Sequence, residues 1–467
     1  LKQISVKIVL FVKEGGLMKK KCITRNVLTF MLTGVLLAGC GGASVGNKTL
    51  SALSVMPLTA KELQEPAYGE PDDTIRSVAG GANDFAFQLS GLLAENAGNE
   101  NFVCSPYSVW IPLAALVNAT DAQSKDSLLS ALNASGISEE DINNAASRML
   151  YDLTKQQDKK FAEEYDEEYH DPLKIANAIF VGNDVTLKEG FAQDFMDFYR
   201  GSAMNVDFRS SKAVDAVNQW ASENTDGLIT HIIQEFDPDT VAAIANAIYF
   251  SDRWDWEFNL ENTVEDIFYS PNGETKAFYM LRDGDSQTYY EDDKVQAMPL
   301  RFKTGGGLYI ILPKDGDAKG LLSSMNSEYF EEIQKDSINA TGKLLLPRFS
   351  IESDAMELKD TLTALGVPLF DENAAPLTGG LIEESIPVWL SSAVHKAVIE
   401  VDEKGTTAAA VTVMMATGTS MPEPTEPFEM NCNKPFVFVL YGNTYDGGNQ
   451  ILFTGMVNQP QEDNSAF

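Results

Sequence analysis

The chain has 467 residues, 44% of them hydrophobic and 10% aromatic, enough to bury a sizeable core, and length alone would allow two or three domains. Its 35 basic residues stand against 68 acidic ones, and the formal net charge of -33 argues against nucleic acid or an anionic membrane surface as the main partner. A cationic protein would be drawn in by that field; the plainer reading is a solvated surface that serves solubility.

In chain order, Met18-Lys19-Lys20-Lys21 and Arg25 precede an apolar run over residues 27–37, the layout of an export signal peptide and short for a transmembrane helix. Its end, Leu37-Ala38-Gly39-Cys40, resembles the bacterial lipobox, in which the cysteine is acylated and the chain is cut just before it. The resemblance implies a signal peptide over 18–39 and a lipid on Cys40. It also implies an exported bacterial lipoprotein, periplasmic or at the cell surface, that meets the membrane only through that lipid. An uncleaved anchor is the alternative. Residues 1–17 precede a complete signal peptide and read as upstream sequence from an early start.

Residues 40–80 are rich in small, polar and acidic residues, with Glu65-Pro66 and Glu70-Pro71-Asp72-Asp73, and read as the acylated cysteine followed by a tether. One large α+β domain is expected over 81–460, with 461–467 as a disordered tail. Residues 85–93 and 109–117 carry helical periodicity, 175–181 read as a strand, and the charged stretch 155–171 reads as an exposed helix and loop. The C-terminal half is richer in strands, with apolar runs at 307–313, 343–349, 388–401, 435–441 and 450–457. Asp446-Gly447-Gly448 forms a hairpin signal between the last two.

Catalytic signatures are missing from the sequence. His170, His231 and His395 are the only histidines, and none sits in a His-Glu-x-x-His or Cys-x-x-Cys setting, so neither a metal nor a cofactor is expected. There is no Gly-x-Ser-x-Gly elbow, phosphate-cradling loop or dinucleotide fingerprint, and nothing singles out a catalytic carboxylate pair. Cys22 lies in the leader and Cys40 at the lipid site, which leaves Cys104 and Cys432, too few for a disulfide framework. Buried free thiols suit the apolar setting of Phe102-Val103-Cys104, while pairing stays open in an exported chain.

The unusual segment lies near the C-terminus. Between Lys404 and Glu423 no residue is charged, and no proline occurs before Pro422. From Gly405 onward, Thr406, Ala408, Ala410, Thr412, Met414 and Ala416 are small or soft at alternate positions, so one face could slot into a packed core. Its β-branched residues favour a strand, and every backbone donor is available for ladder bonds. Pro422-Glu423-Pro424-Thr425-Glu426-Pro427 follows at once and can only be an exposed, stiff connection. On composition alone this is an ordinary buried strand or loop.

Glu403-Lys404-Gly405-Thr406-Thr407-Ala408-Ala409-Ala410 resembles the serpin hinge, and the likeness extends along the chain. Asn101-Phe102-Val103-Cys104-Ser105-Pro106-Tyr107-Ser108 is similar to the family's Asn-x-x-x-Ser-Pro-x-Ser. Asn246-Ala247-Ile248-Tyr249-Phe250 with Trp254 and Phe258 is similar to its Asn-Ala-Ile-Tyr-Phe block, and His395-Lys396-Ala397 to its His-Lys-Ala. Asp207-Phe208, Asn218-Gln219-Trp220, Leu346-Pro347-Arg348-Phe349, Lys434-Pro435-Phe436 and Leu452-Phe453-Thr454-Gly455 fall in family order. Asn118-Ala119-Thr120-Asp121 stands where a Gly-Ala is more usual, a departure that bears on packing.

The resemblance implies the serpin fold: three β-sheets, surrounding helices and an exposed reactive-centre loop. It implies a protease inhibitor rather than an enzyme, a monomer whose loop is cut by a secreted serine protease and then inserts into the main sheet, dragging the acylated protease along. This family is itself the standard example of that mechanism. The family's spacing from Glu403 places the cut bond at Thr419-Ser420, which suggests an elastase-like or subtilisin-like target; cysteine proteases are a further class of partner. Met415-Ala416 is an alternative that would shorten the inserting strand. Met421 is disfavoured by the following Pro422. Gly405, Thr406, Thr407, Ala408, Ala409 and Ala410 would enter first, where bulk or charge would stall insertion. Ser105, Ser108, Asn246 and His395 match positions beneath the sheet that gate its opening, and Trp254 and Glu403 match the region where the loop enters. A non-inhibitory serpin acting as a binding module is the alternative; such members usually carry bulky, charged or proline residues in the hinge.

Overall fold

The computed structural model describes residues 5–14, 17–26, 53–55, 70–156, 173–225, 227, 229–237, 240–406 and 427–460, with side chains from Glu70 onward apart from those of 155 and 156. The chain divides into two compact units, residues 1–47 and 48–467. In the first, β1 (Ser5–Glu14) and β2 (Leu17–Asn26) pair antiparallel from Ser5↔Asn26 to Glu14↔Leu17. That hairpin spans the boundary between upstream stretch and leader expected at residues 17 and 18. The leader's apolar run and Cys40 lie outside the described residues.

The second unit begins earlier than the expected domain start at 81. Asp72 caps helix α1 (Asp73–Asn96), its carboxylate accepting the Thr74 and Ile75 amides at 2.8 and 3.2 Å. Gly80 and Gly81, at the expected boundary between tether and domain, lie inside this helix. A Cβ at Gly81 would stand 2.3 Å from the Asn133 carbonyl oxygen, so glycine lets the two backbones meet. Further upstream, β3 (Leu53–Val55) pairs antiparallel with β6 (Gly201–Val206), so part of the supposed tether is a sheet strand.

Helix α2 (Pro106–Leu116) starts with proline where a helix needs no N–H, and all its residues are buried. Helices α3 (Ala122–Ala131) and α4 (Glu139–Tyr151), capped by Asp121 and Ser138, follow it in the chain, then α5 (Glu189–Tyr199) and α6 (Ser211–Asn224).

One sheet runs β15 (Met356–Glu357), β16 (Leu390–Lys396), β7 (Ala242–Phe250), β5 (Leu173–Gly182), β6 and β3. Both faces of its middle are covered, which explains why its strands read as continuous apolar runs. Ile179, Val181, Ile244 and Ile248 face the main core, while Ala178, Phe180, Ala243, Ala245 and Ala247 face α6. There the Phe180 and Trp220 rings meet edge to face at 5.8 Å.

The larger sheet runs β19 (Phe428–Asn431), β13 (Ile338–Pro347), β10 (Gly273–Glu291), β11 (Val295–Arg301), β12 (Gly307–Pro313), β20 (Phe436–Thr444), β21 (Gly448–Val457) and β4 (Phe102–Cys104). β9 (Val264–Ser270) pairs with the other half of β10. The expected hairpin closes at Thr444↔Gly448, with Gly448 at φ +70°.

Two expected strands divide. The run 343–349 breaks at Arg348 into β13 and β14 (Phe349–Glu352), and 388–401 breaks at Ala397 into β16 and β17 (Val398–Val401). β16 runs parallel to β7 from Leu390↔Ala242 to Lys396↔Ala247, but β17 pairs with β14. Among the described residues no ladder joins β17 to β7, so Ile248, Tyr249 and Phe250 pair with β5 alone.

Cys104 and Cys432 are buried free thiols, as the apolar setting suggested. Burial pushes the Cys104 thiol up to about 11, which keeps it protonated and unreactive. No described helix is long and apolar enough to cross a membrane. Replacing Phe438, fully buried and 5.4 Å from the Phe349 ring, with alanine is expected to cost about 3–5 kcal/mol, read as a lower urea midpoint of the first unfolding transition.

Candidate functional site

Above the point where β16 and β17 part, residues 402–406 make a tight bend. The Asp402 carboxylate accepts the Lys404 and Gly405 amides at 2.8 and 3.1 Å, and the Gly405 carbonyl accepts the Asp402 amide at 3.0 Å. Gly405 has φ +154°, and a Cβ there would stand 2.1 Å from the Asp252 carbonyl oxygen. Only glycine serves on both counts. The chain continues as β18 (Gly405–Thr406), paired antiparallel with β8 (Asp252–Arg253). Thr406 is fully buried, and its hydroxyl accepts the Asp252 amide at 3.0 Å.

Asp252 is itself buried and accepts hydrogen bonds from the Thr304 hydroxyl and amide and from the Arg253 amide. Burial pushes its carboxyl up to about 6, although these donors pull the other way. Burial likewise raises the Asp402 carboxyl above its usual value.

Glu403 lies 5% exposed between two elements. Arg348, at the break between β13 and β14, donates its Nε at 2.9 Å and a second N–H to the same carboxylate oxygen, and the Thr263 hydroxyl donates to it as well. The backbone is held too. The Trp254 amide donates to the Lys404 carbonyl and the Phe258 amide to the Glu403 carbonyl, both at 2.8 Å. Trp254 Nε1 donates to the Asp402 carbonyl at 2.9 Å, and its ring stacks on Phe302 with centroids 4.8 Å apart. Trp254 thus bonds the residues on either side of Glu403. Arg348, Thr263 and Asp252 were not singled out, although Arg348 lies in the Leu-Pro-Arg-Phe motif. A lone arginine closing an apolar run was the available signal.

The second group lies below the parting. His395 is fully buried; its Nε2 accepts the Ser105 amide at 3.0 Å, while Nδ1 has no partner. Ser105 donates to the Leu452 carbonyl at 2.6 Å, and Ser108 donates to the Ser105 carbonyl at 2.9 Å. Asn246 is the register partner of His395 across the seam, but its amide donates sideways to Asn177 Oδ1 at 2.6 Å, and its own Oδ1 has no partner. Ser105 and His395 are thus joined, Ser108 reaches them through a backbone carbonyl, and Asn246 ties β7 to β5. Burial holds the His395 imidazole down to about 4, so it is neutral at physiological pH.

Thr407, Ala408, Ala409, Ala410, Thr419, Ser420 and the Met415-Ala416 alternative lie outside the described residues. Among the described residues no group of three or more His, Cys, Asp or Glu side chains is placed to hold a metal ion. His231 lines a shallow surface depression with Val214, Asn218 and Gln234, and His170 lies outside the described residues.

A family model described as "Serpin (serine protease inhibitor)" matches residues 80–460, and the chain belongs to the serpin family. It is 30% identical to alpha-1-antitrypsin 1-2 of Mus musculus over 408 residues, 86% of this chain and 94% of the relative. With the plasma serine protease inhibitor of Bos taurus it shares 29% over 411 residues, 86% of this chain and 96% of the relative. Among solved structures, the thermophilic serpin tengpin in its native state superposes with TM-score 0.71 at 25% identity, covering 87% of this chain and 99% of that one. Human thyroxine-binding globulin complexed with thyroxine matches at TM-score 0.68 and 23% identity, covering 83% of this chain and 100% of that one, a likeness of fold. At family level serpins are protease inhibitors rather than enzymes, and this chain's relatives support that class of activity.

Three variants probe the site. Glu403→Gln leaves Arg348 facing a neutral amide and is expected to destabilise the native form by about 3 kcal/mol, read by urea unfolding. The His395 proton is bound less readily folded than unfolded, so stability present above pH 6.5 is lost as pH falls towards 4. A His395→Gln variant should lose that slope, worth up to about 3 kcal/mol. Asp252, raised from 3.8 to about 6, has the opposite sign: stability is gained as pH falls through that window, and Asp252→Asn isolates it.

Proposed function

We propose that this chain inhibits secreted serine proteases as a suicide substrate. A protease cuts the exposed loop at Thr419-Ser420, and before the acyl bond hydrolyses, the strand beginning at Thr406 inserts between β7 and β17. The carrying observation is the seam itself: β7 and β17 are joined by no ladder among the described residues, directly below the bend from which the loop departs. Thr406 already sits buried and strand-paired at the head of that path, and the residues after it, Thr407 to Ala410, are small and uncharged.

The small β-branched residue at Thr419 favours an elastase-like or subtilisin-like enzyme, with cysteine proteases as a secondary class. The inhibitor works as a monomer, anchored through a lipid on Cys40 at the outer end of an export pathway, where it meets secreted enzymes. The chain's acidity suits cationic proteases. Thyroxine-binding globulin shares the fold in a complex with thyroxine, and a non-inhibitory binding role here would have to tolerate a hinge with none of the bulk or charge that obstructs insertion.

Mixing the protein from about residue 48 onward with an elastase-like protease is expected to give an SDS-stable complex and a released peptide starting at Ser420. Clean cleavage without a complex, across elastase-, subtilisin- and chymotrypsin-like enzymes, would favour the non-inhibitory role. Thr406→Arg should convert the inhibitor into a substrate, the complex giving way to turnover of the cleaved chain, because a guanidinium cannot follow Thr406 into the buried seam.

A further inference from the structure

The segment that holds the hinge has a second side. From Trp254 to Thr263 it grips residues 402–404 with alternate groups: Trp254 and Phe258 are buried and bond the hinge carbonyls, and the Thr263 hydroxyl bonds Glu403. Trp256 and Leu260, between them, point away. Trp256 is 59% exposed and Leu260 64% exposed, the two most exposed large apolar side chains among the described residues. Burying neither contributes to the core, and a chain with so strong a negative charge would be more soluble without them.

Trp256 is also held in place. Arg282 donates to its carbonyl, lies with its guanidinium 6.0 Å from the Trp256 ring centroid and 4.4 Å from that of Phe258, and so clamps the exposed ring beside a buried one. The ring edge lies against Gly284, where a Cβ would stand 3.4 Å away. Gly284 is the register partner of Gly342, and Gly342 that of Phe428, where the chain returns after the loop. Trp256 therefore lies between the two ends of the loop, Thr406 on one side and Phe428 on the other, over strands kept low by paired glycines. Along its own segment the charge has one sign: from Trp254 to Thr275 the chain has six carboxylates and no basic residue, with Asp255 and Glu261 exposed beside the two apolar groups, while the Arg282 cation packs against the inner side of the rings.

We infer that Trp256 and Leu260, framed by Asp255 and Glu261, form a docking surface for the body of the protease that attacks the loop, and that this surface favours catalytic domains with an apolar patch ringed by lysine and arginine. This rests on the inhibitory reading above. The occupant follows from position, because a globular enzyme engaged on a segment anchored at Thr406 and Phe428 comes to rest over the ground between the anchors. It follows also from charge, since an acidic rim around a fixed aromatic suits a cationic partner. The surface selects among enzymes that would cut the loop sequence equally well, and it acts on association, not on insertion.

The test measures the second-order rate at which an elastase-like and a subtilisin-like protease cut the loop of the intact protein, whether or not a covalent complex follows, alongside cleavage of a free peptide spanning 403–428. For at least one protease, Trp256→Ala combined with Leu260→Ala is expected to slow loop cleavage about tenfold or more. Peptide cleavage and the partition between complex and cleaved product should not change. Asp255→Asn with Glu261→Gln, which alters no apolar contact, should slow the same reaction and flatten its dependence on ionic strength. Loop-cleavage rates equal to wild type in both double variants would overturn the docking surface while leaving inhibition intact. Wild-type cleavage without complex, slowed in the variants, would overturn inhibition and keep the surface.

Discussion

The buried pair of Arg348 and Glu403 is the constraint on which the rest of the arrangement depends. Arg348 closes β13 and Glu403 opens the loop, so a single ion pair ties the larger sheet to the end of the strand that leaves the smaller one. A buried pair of this kind contributes less net stability than its geometry suggests, because both charges are desolvated. Its value lies in position. With the carboxylate fixed, the carbonyls of 402–404 face Trp254 and Phe258, Gly405 can turn against Asp252, and Thr406 starts its strand at one place only.

Below that knot the seam is graded. β7 and β16 are laddered up to Lys396↔Ala247, after which β17 turns to β14. The buried polar groups concentrate just beneath the parting, where His395 receives the Ser105 amide and Asn246 reaches to Asn177. The orphaned His395 Nδ1 and Asn246 Oδ1 lie on register partners. Each buried unpaired group carries a desolvation cost that an apolar side chain would not. The closed part of the seam is thus less favourable at its upper end than a wholly apolar one would be.

Much of this was legible in the residues. Continuous apolar runs marked the buried strands, and Asp446-Gly447-Gly448 marked the last hairpin. The breaks were not legible. Leu346-Pro347-Arg348-Phe349 and His395-Lys396-Ala397 read as strand interior, because only tertiary contact shows that Arg348 must turn to Glu403 and that β17 changes partner. Gly81, taken as the start of the domain, lies inside helix α1 and marks its close approach to the Asn133 carbonyl. The acidic segment 65–73 gave no sign that Asp72 caps a helix and that its amide meets Asp446 at 2.9 Å.

The parting of β16 and β17 at Ala397 behaves mechanically as a notch. A sheet pulled apart along its whole length would have to break every ladder bond of a strand at once, whereas a notched sheet yields at the tip, one register pair at a time. At this tip the first pairs in line are Lys396↔Ala247 and His395↔Asn246. Resistance to opening is therefore concentrated in two or three residue pairs rather than spread over the strand. Substitutions there should change how fast the sheet opens far more than they change how stable it is when closed, and the same substitutions three pairs lower should do the reverse.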